Sequence, residues 1–514
     1  MSRTTKQNRI SSIRTETPDK KREEILKSLT TKSNAYWMRE REKNMLDVFH
    51  RAAKDVPAYK DFLKKHKVDS SKIKTLKDFQ DNVPVMTKEN YLKKYPLEKL
   101  SWDGNLQKPL VFTSTSGSTG EPFYFARNHN VDWQSSLIHE IFFKNAISQK
   151  DKSTLVVVCF GMGVWIGGLI TYQAFEIIGE NGFPVSIITP GINKEEIFKA
   201  LKKLAPSFSQ VILAGYPPFI KDILDESLDR GIDLKKLNIK LIFAAEAFTE
   251  RFRDYVVDKV KIKNPHTETM NIYGSADIGT MAFETPLSIL IRRIAVKKPK
   301  LFEKIFDSTQ NTPTLAQYIP QFINFESQSK DIILTGDNTV PLIRYSIGDR
   351  GGTFSFNELN SKFASSGVSL YKEAKKAGIE KDLYQLPFVF IRERKDLSVT
   401  LYGLQIYPET IREVLLEKPY DKFFSGKLTL ITKFDENQDQ YVEINLEARK
   451  GIKIEHAIEI KLLDDIVKNL RSKNSEFREL SDFLKGRATP KLVFWPFEDP
   501  LYFGVGIKQS WVKR

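Results

Sequence analysis

The chain has 514 residues, more than one hydrophobic core usually holds, and 41% of them are apolar, so at least two folded domains are expected. Lys and Arg number 80 against 65 Asp and Glu, and the formal charge of +15 attracts polyanions without choosing among nucleic acid, acidic membranes, ATP or coenzyme A. One cysteine, Cys159, excludes a disulfide framework and a multi-cysteine zinc site, and the six scattered histidines have no paired spacing for a metal.

Residues 1–44 read as a flexible basic tail, because MSRTTKQNRISSIRTETPDKKREE has no apolar run behind its charges and therefore lacks a secretory signal. A cytoplasmic location is the expectation. Residues 113–122 (TSTSGSTGEP) surround two glycines with hydroxyl side chains, a composition that lets backbone amides and hydroxyls turn toward phosphate oxygens. The GK[ST] ending of a Walker loop is missing.

Residues 155–172 (LVVVCFGMGVWIGGLITY) are apolar for long enough to raise a membrane span. Four glycines after VVVCF favour a buried parallel strand, a glycine-rich turn and a helix instead, so no transmembrane segment is expected. TLVVVCF, PVSIITP, QVILAGYP, IKLIFAAE and TMNIYGS alternate with amphipathic stretches, which predicts a largely parallel sheet flanked by helices, with ligands beyond the carboxyl ends of its strands. Asn193 and Glu196 form a capping pair ahead of IFKALKKLA. Within residues 287–321, Arg292, Arg293, Lys297, Lys298 and Lys300 read as a solvated helix face rather than a membrane contact. From residue 392 the character changes to a charged stretch, a helix at 408–417, and two alternating strands, KLTLITKF and QYVEINLEA. No nucleic-acid signature is present, so no nucleic-acid partner is expected.

Followed by Glu121 and Pro122, the loop resembles the signature loop of the acyl-adenylate-forming (ANL) superfamily, particularly its phenylacetate-coenzyme A ligase-like branch. Further motifs match in order: VPAYKDFLKKHKV and NVPVMTKENYLKKYP as the lead-in, FAAEAFTE bordering adenine, NIYGSADIG with an aromatic and an acid, PLIRYSIGDRGG for ribose, and RERKDLSVTLYGLQIYPETI at the hinge. The resemblance implies an α/β fold: a large N-terminal adenylate-forming domain over 45–391, with mixed, largely parallel sheets and helices, and a small mobile C-terminal α/β domain over 392–514. It implies ATP, magnesium, a small-molecule carboxylic acid and coenzyme A, the acid being activated as an acyl-adenylate and then converted to a thioester. Transfer to an amine or carrier protein, or a degenerate nucleotide-binding protein without catalysis, remain the alternatives. A homodimer is left open.

Carried over residue by residue, Thr113, Ser114, Ser116, Gly117, Ser118, Thr119 and Gly120 would hold phosphates, and Glu246 and Gly274 would border the nucleotide. Tyr273 would pack on adenine, Asp349 would accept both ribose hydroxyls, and Arg394 would contact the nucleotide. Thr119 and Asp277 would hold magnesium, Asp277 standing where the family usually has glutamate. Asp396 would be the hinge, and Glu393 replaces the glycine normally preceding the arginine. Lys508 is the candidate adenylation lysine, one residue removed from the family's Gly-Lys pairing, with Lys485 and Lys491 as competitors. The acid pocket is expected among residues 161–168, 215–218 and those after Phe243, where Phe160, Trp165, Tyr216 and Phe248 suggest an aromatic or otherwise apolar acid, although such residues also serve as core.

Overall fold

In the computed structural model, which describes residues 18–114, 123–147, 152–307, 312–394, 398–503 and 512, eighteen strands are placed. β1 (Val111–Ser114) and β2 (Tyr124–Arg127) form a hairpin. β3 (Thr154–Cys159), β4 (Val185–Ile188), β5 (Gln210–Gly215), β6 (Ile239–Ala244) and β7 (Thr269–Ser275) are the five apolar runs foreseen as strands. β8 (Gly279–Phe283), β9 (Thr314–Gln317), β10 (Ile323–Gln328), β11 (Asp331–Gly336), β12 (Leu342–Phe354) and β13 (Phe388–Arg394) complete the large unit. The small unit contributes β14 (Val399–Leu401), β15 (Leu404–Ile406), β16 (Phe424–Phe434), β17 (Gln440–Ala448) and β18 (Lys491–Trp495).

β3 to β7 pair in parallel because helices cover both faces, so every residue of β3 and β5 is buried and only β-branched or other apolar side chains fit most of those positions. From β7 onward the pairing turns antiparallel, and the whole forms one eleven-stranded sheet in the order β10-β11-β12-β13-β9-β8-β7-β6-β5-β3-β4. The glycine-rich turn after β3 leads into the helix Ile166–Glu180. No described helix is long and apolar enough to cross a membrane.

Three expectations are corrected. Residues 18–44 are not a flexible tail: the helices Pro18–Thr31 and Asn34–Asp55 pack down through buried Ile25, Leu29 and Trp37, and Arg22 forms two hydrogen bonds to buried Glu140. Their apolar residues are sparse, so a signal that depends on runs of them does not register. Glu196 does not complete a capping box: Asn193 accepts its backbone N–H, but its carboxylate pairs with Lys199 at 2.6 Å.

Arg292 does not lie on a solvated face. It is fully buried, bound to Glu284 at 2.5 Å and to the carbonyl of Phe248, while Arg253 joins the same Glu284 at 2.8 Å and Glu250 at 2.9 Å. The buried charges remain tolerable because each is paired. Arg292→Ala leaves Glu284 short of a partner and the Phe248 carbonyl unbonded, and an expected loss of about 3–5 kcal/mol is checked by denaturant unfolding; a change within experimental error would show the cluster to be passive.

The small unit folds around the helices Pro408–Leu416, His456–Lys473 and Ser475–Leu484 and a sheet in which β17 pairs antiparallel with β16 and parallel with β18. It is not separated from the large unit by solvent. One apolar cluster runs from Leu213 and Phe219 through Leu401, Tyr402 and Leu430 to Ile466.

Candidate active site

The carboxyl ends of β3, β5, β6 and β7 lead into Phe160, Tyr216, Ala245 and Ala276, as expected for ligand-bearing loops of such a sheet. Hairpin β1-β2, which contains Thr113 and Ser114, lies beside them: the Ser114 N–H donates to the Val164 carbonyl at 3.1 Å, and Phe123 and Phe125 share an apolar cluster with Tyr273, Ala276 and Ile278. Thr113 and Ser114 are both buried, and among the described residues no group bonds the Thr113 hydroxyl. Ser116, Gly117, Ser118, Thr119 and Gly120 lie outside the described residues, as do Asp396 and Lys508.

Tyr273 and Asp349, 76 residues apart, come together: the Tyr273 hydroxyl donates to Asp349 Oδ2 at 2.5 Å. Asp349 lies in the middle of β12, in register with Arg394 of β13. The glycines after it have a packing reason, because a Cβ on Gly351 would overlap the Phe390 carbonyl and one on Gly352 would lie 2.6 Å from the Phe390 ring. The backbone of Arg394 is described and its side chain is not. Gly274 sits on β7 directly after Tyr273, at the shift in register with β8.

Asp277 is buried and engaged on both oxygens: Tyr345 donates its hydroxyl to Oδ2 at 2.6 Å, and Lys88 Nζ stands 3.4 Å from Oδ1. Lys88 is held there because its segment is pinned to β12, with Met86 N–H donating to the Arg344 carbonyl and Ser346 N–H to that of Met86, each at 2.9 Å. Lys88 and Tyr345 both lie within motifs noted above, yet neither stood out in the sequence, since nothing there shows that they converge on Asp277. Each Asp277 oxygen keeps a further lone pair beside the donor it accepts, as in carboxylates that ligate a metal, and Thr119, the other residue expected to hold magnesium, lies outside the described residues. Among the described residues no cluster of three His, Cys, Asp or Glu could hold a metal.

Glu246, expected to border the nucleotide, directs its carboxylate to the small unit. Ala245 before it adopts a left-handed backbone, φ 74°, uncommon for alanine, and the Glu246 carboxylate turns to the small unit. Oε1 accepts the Gly403 N–H and Oε2 accepts Gln440 Nε2 at 2.6 Å. Desolvation at this contact pushes its carboxyl up to about 7. Of the pocket aromatics, Phe160 meets Tyr216 edge-on at 5.1 Å, Trp165 donates to Glu479 at 3.1 Å, and Phe248 is core, packed against Phe243 and Phe252.

No family model matches the chain, and no curated protein sequence does. Among solved structures, 2-hydroxyisobutyryl-CoA ligase in complex with 2-HIB-AMP and CoA in its thioesterification state superposes with a TM-score of 0.63 at 14% identity, over 95% of this chain and 91% of that one. The chain shares the fold of that ligase. The same ligase in its postadenylation state gives TM-scores of 0.51 with R3-HIB-AMP, at 12% identity, and 0.50 with 2-HIB-AMP, at 14% identity, each over 95% of this chain and 90% of that one. At these identities the likeness establishes the architecture alone, a large mixed sheet unit with a small C-terminal unit, and the chemistry rests on the residues.

Proposed function

We propose that this chain is an AMP-forming acid–thiol ligase that activates a carboxylic acid with ATP and transfers the acyl group to coenzyme A. The observation that carries the reading is the Tyr273–Asp349 pair beside hairpin β1-β2, within a fold shared with 2-hydroxyisobutyryl-CoA ligase, which was solved with acyl-AMP and, in its thioesterification state, with CoA as well. An ionised Asp349 offers two strong acceptors to the ribose hydroxyls, and the Tyr273 ring offers a face to adenine.

In the first half-reaction the substrate carboxylate is itself the nucleophile. Its oxygen attacks the α-phosphorus of ATP, the bond to the β-phosphate oxygen breaks, and pyrophosphate leaves. No general base is needed, so orientation and neutralisation of phosphate charge are the demands on the protein. Lys88, anchored by Asp277, supplies a cation on the hairpin side, with its Nζ 5.8 Å from the centre of the Phe125 ring. In the second half-reaction the thiol loses its proton, its sulfur attacks the acyl carbonyl, and AMP leaves. The apolar faces of Phe160 and Tyr216 favour an aryl or other apolar acid, in keeping with the phenylacetate-CoA ligase-like resemblance.

The test is pyrophosphate release from ATP with a panel of aryl and aliphatic acids, with and without coenzyme A, and with hydroxylamine to trap the adenylate. At least one apolar acid is expected to release pyrophosphate and form a hydroxamate, and coenzyme A is expected to replace hydroxamate by thioester. Binding of AMP without turnover of any acid would refute the ligase reading. Turnover only with amines or carrier proteins as acceptors would refute its second step.

A further inference from the structure

Glu246 is joined to the small unit by more than one contact. Gln440, whose amide Nε2 donates to Glu246, uses its own Oε1 to accept the Tyr402 N–H at 2.7 Å. Tyr402 in turn donates its hydroxyl to Asp222 at 3.2 Å. Asp222 pairs with Arg487 at 2.6 Å, Arg487 with Asp439 at 2.7 Å, and Asp439 with buried Lys221 at 2.6 Å. An unbroken polar chain therefore crosses between the units and ends on Glu246, at the carboxyl end of β6. Its last link fixes Gly403, at the turn of β14-β15, against the Tyr216 ring.

We propose that Glu246 is a positioning residue for acyl transfer: by accepting Gly403 N–H and Gln440 Nε2 it seats the β14-β15 hairpin on Tyr216, and so holds the small unit in the arrangement that serves the second half-reaction. The proposal rests on the ligase reading for the word transfer, and on geometry alone for the seating. Both carboxylate oxygens accept donors of the small unit. The better superposition on a ligase caught in its thioesterification state than on the same ligase after adenylation supports the assignment of the docked arrangement.

The experiment compares the full-length wild type, E246Q and the exchange E246Q/Q440E. In E246Q an oxygen remains for Gly403, but the new amide NH2 confronts that of Gln440, donor against donor. In the exchange variant the carboxylate at position 440 accepts from that amide and from Tyr402 N–H, which restores every bond. Three quantities are read: hydroxylamine-trapped adenylate, thioester formed with coenzyme A, and the radius of gyration by small-angle scattering without substrates. E246Q is expected to lower the ratio of thioester to adenylate rates about tenfold, in line with loss of one charge-assisted hydrogen bond, and to enlarge the radius. The exchange variant is expected to recover both.

An unchanged ratio in E246Q overturns the proposal, as does a defect confined to the KM for ATP, which would return Glu246 to the nucleotide. Failure of the exchange variant to improve on E246Q overturns it too. If the wild type adenylates no acid, the ligase reading fails, and scattering alone decides whether Glu246 holds the units together.

Discussion

Asp349→Ala is expected to weaken ATP and AMP binding about 100-fold or more in calorimetric titration while the thermal unfolding midpoint stays close to that of the wild type. Two ribose hydroxyls donating to one carboxylate make two hydrogen bonds to a charged group, each of about 1.5–3 kcal/mol, and every 1.4 kcal/mol is about tenfold in affinity. The side chain is buried at the strand position facing Tyr273, so its loss also leaves the Tyr273 hydroxyl without that acceptor. Tyr273→Phe separates the two effects: the ring and the carboxylate both remain, and affinity is expected to fall much less than in the alanine variant. Unaltered AMP affinity in Asp349→Ala would show that β12 carries this aspartate for packing alone.

Gly403→Val is expected to reduce thioester formation about 100-fold or more while adenylate formation, read by hydroxylamine trapping, changes only a few-fold. A Cβ at Gly403 would lie 2.5 Å from the Tyr216 ring, well inside van der Waals contact, and the φ of 85° is one that a β-branched residue rarely adopts. The hairpin can neither keep its turn nor rest on Tyr216, so a step that requires docking fails while a step that does not survives. Equal loss of both half-reactions would mean that the docked arrangement serves adenylation as well, and would reassign the small unit's position.

Much of the large unit was legible from residue patterns. The five runs from TLVVVCF to TMNIYGS became β3 to β7, because fully buried parallel strands tolerate few polar residues and their flanking glycines and prolines mark the ends. The helix and paired strands of the small unit were legible for the same reason. The N-terminal helices were not, since residues such as Trp37 reveal burial only by what packs on them. Nor was the fate of Arg292: a basic residue among basic neighbours reads as solvated until Glu284, on another element, is found beside it.

The candidate site divides along the same line. Ordered motifs singled out Tyr273, Asp349 and Asp277, because chemistry on phosphates and ribose restricts which residue types can serve. Their partners came only from the tertiary structure. Lys88 and Tyr345 close on Asp277 from 189 and 68 positions away, and Gly403 and Gln440 close on Glu246 from 157 and 194. The sequence by itself determined the strand pattern, the exclusion of a disulfide framework and the residue types of the ordered motifs. Which carboxylate meets Tyr273 and which meets Gly403 and Gln440 was decided only by folding, because a carboxylate's surroundings follow from the donors within about 3 Å of its oxygens, and those donors lie far away along the chain.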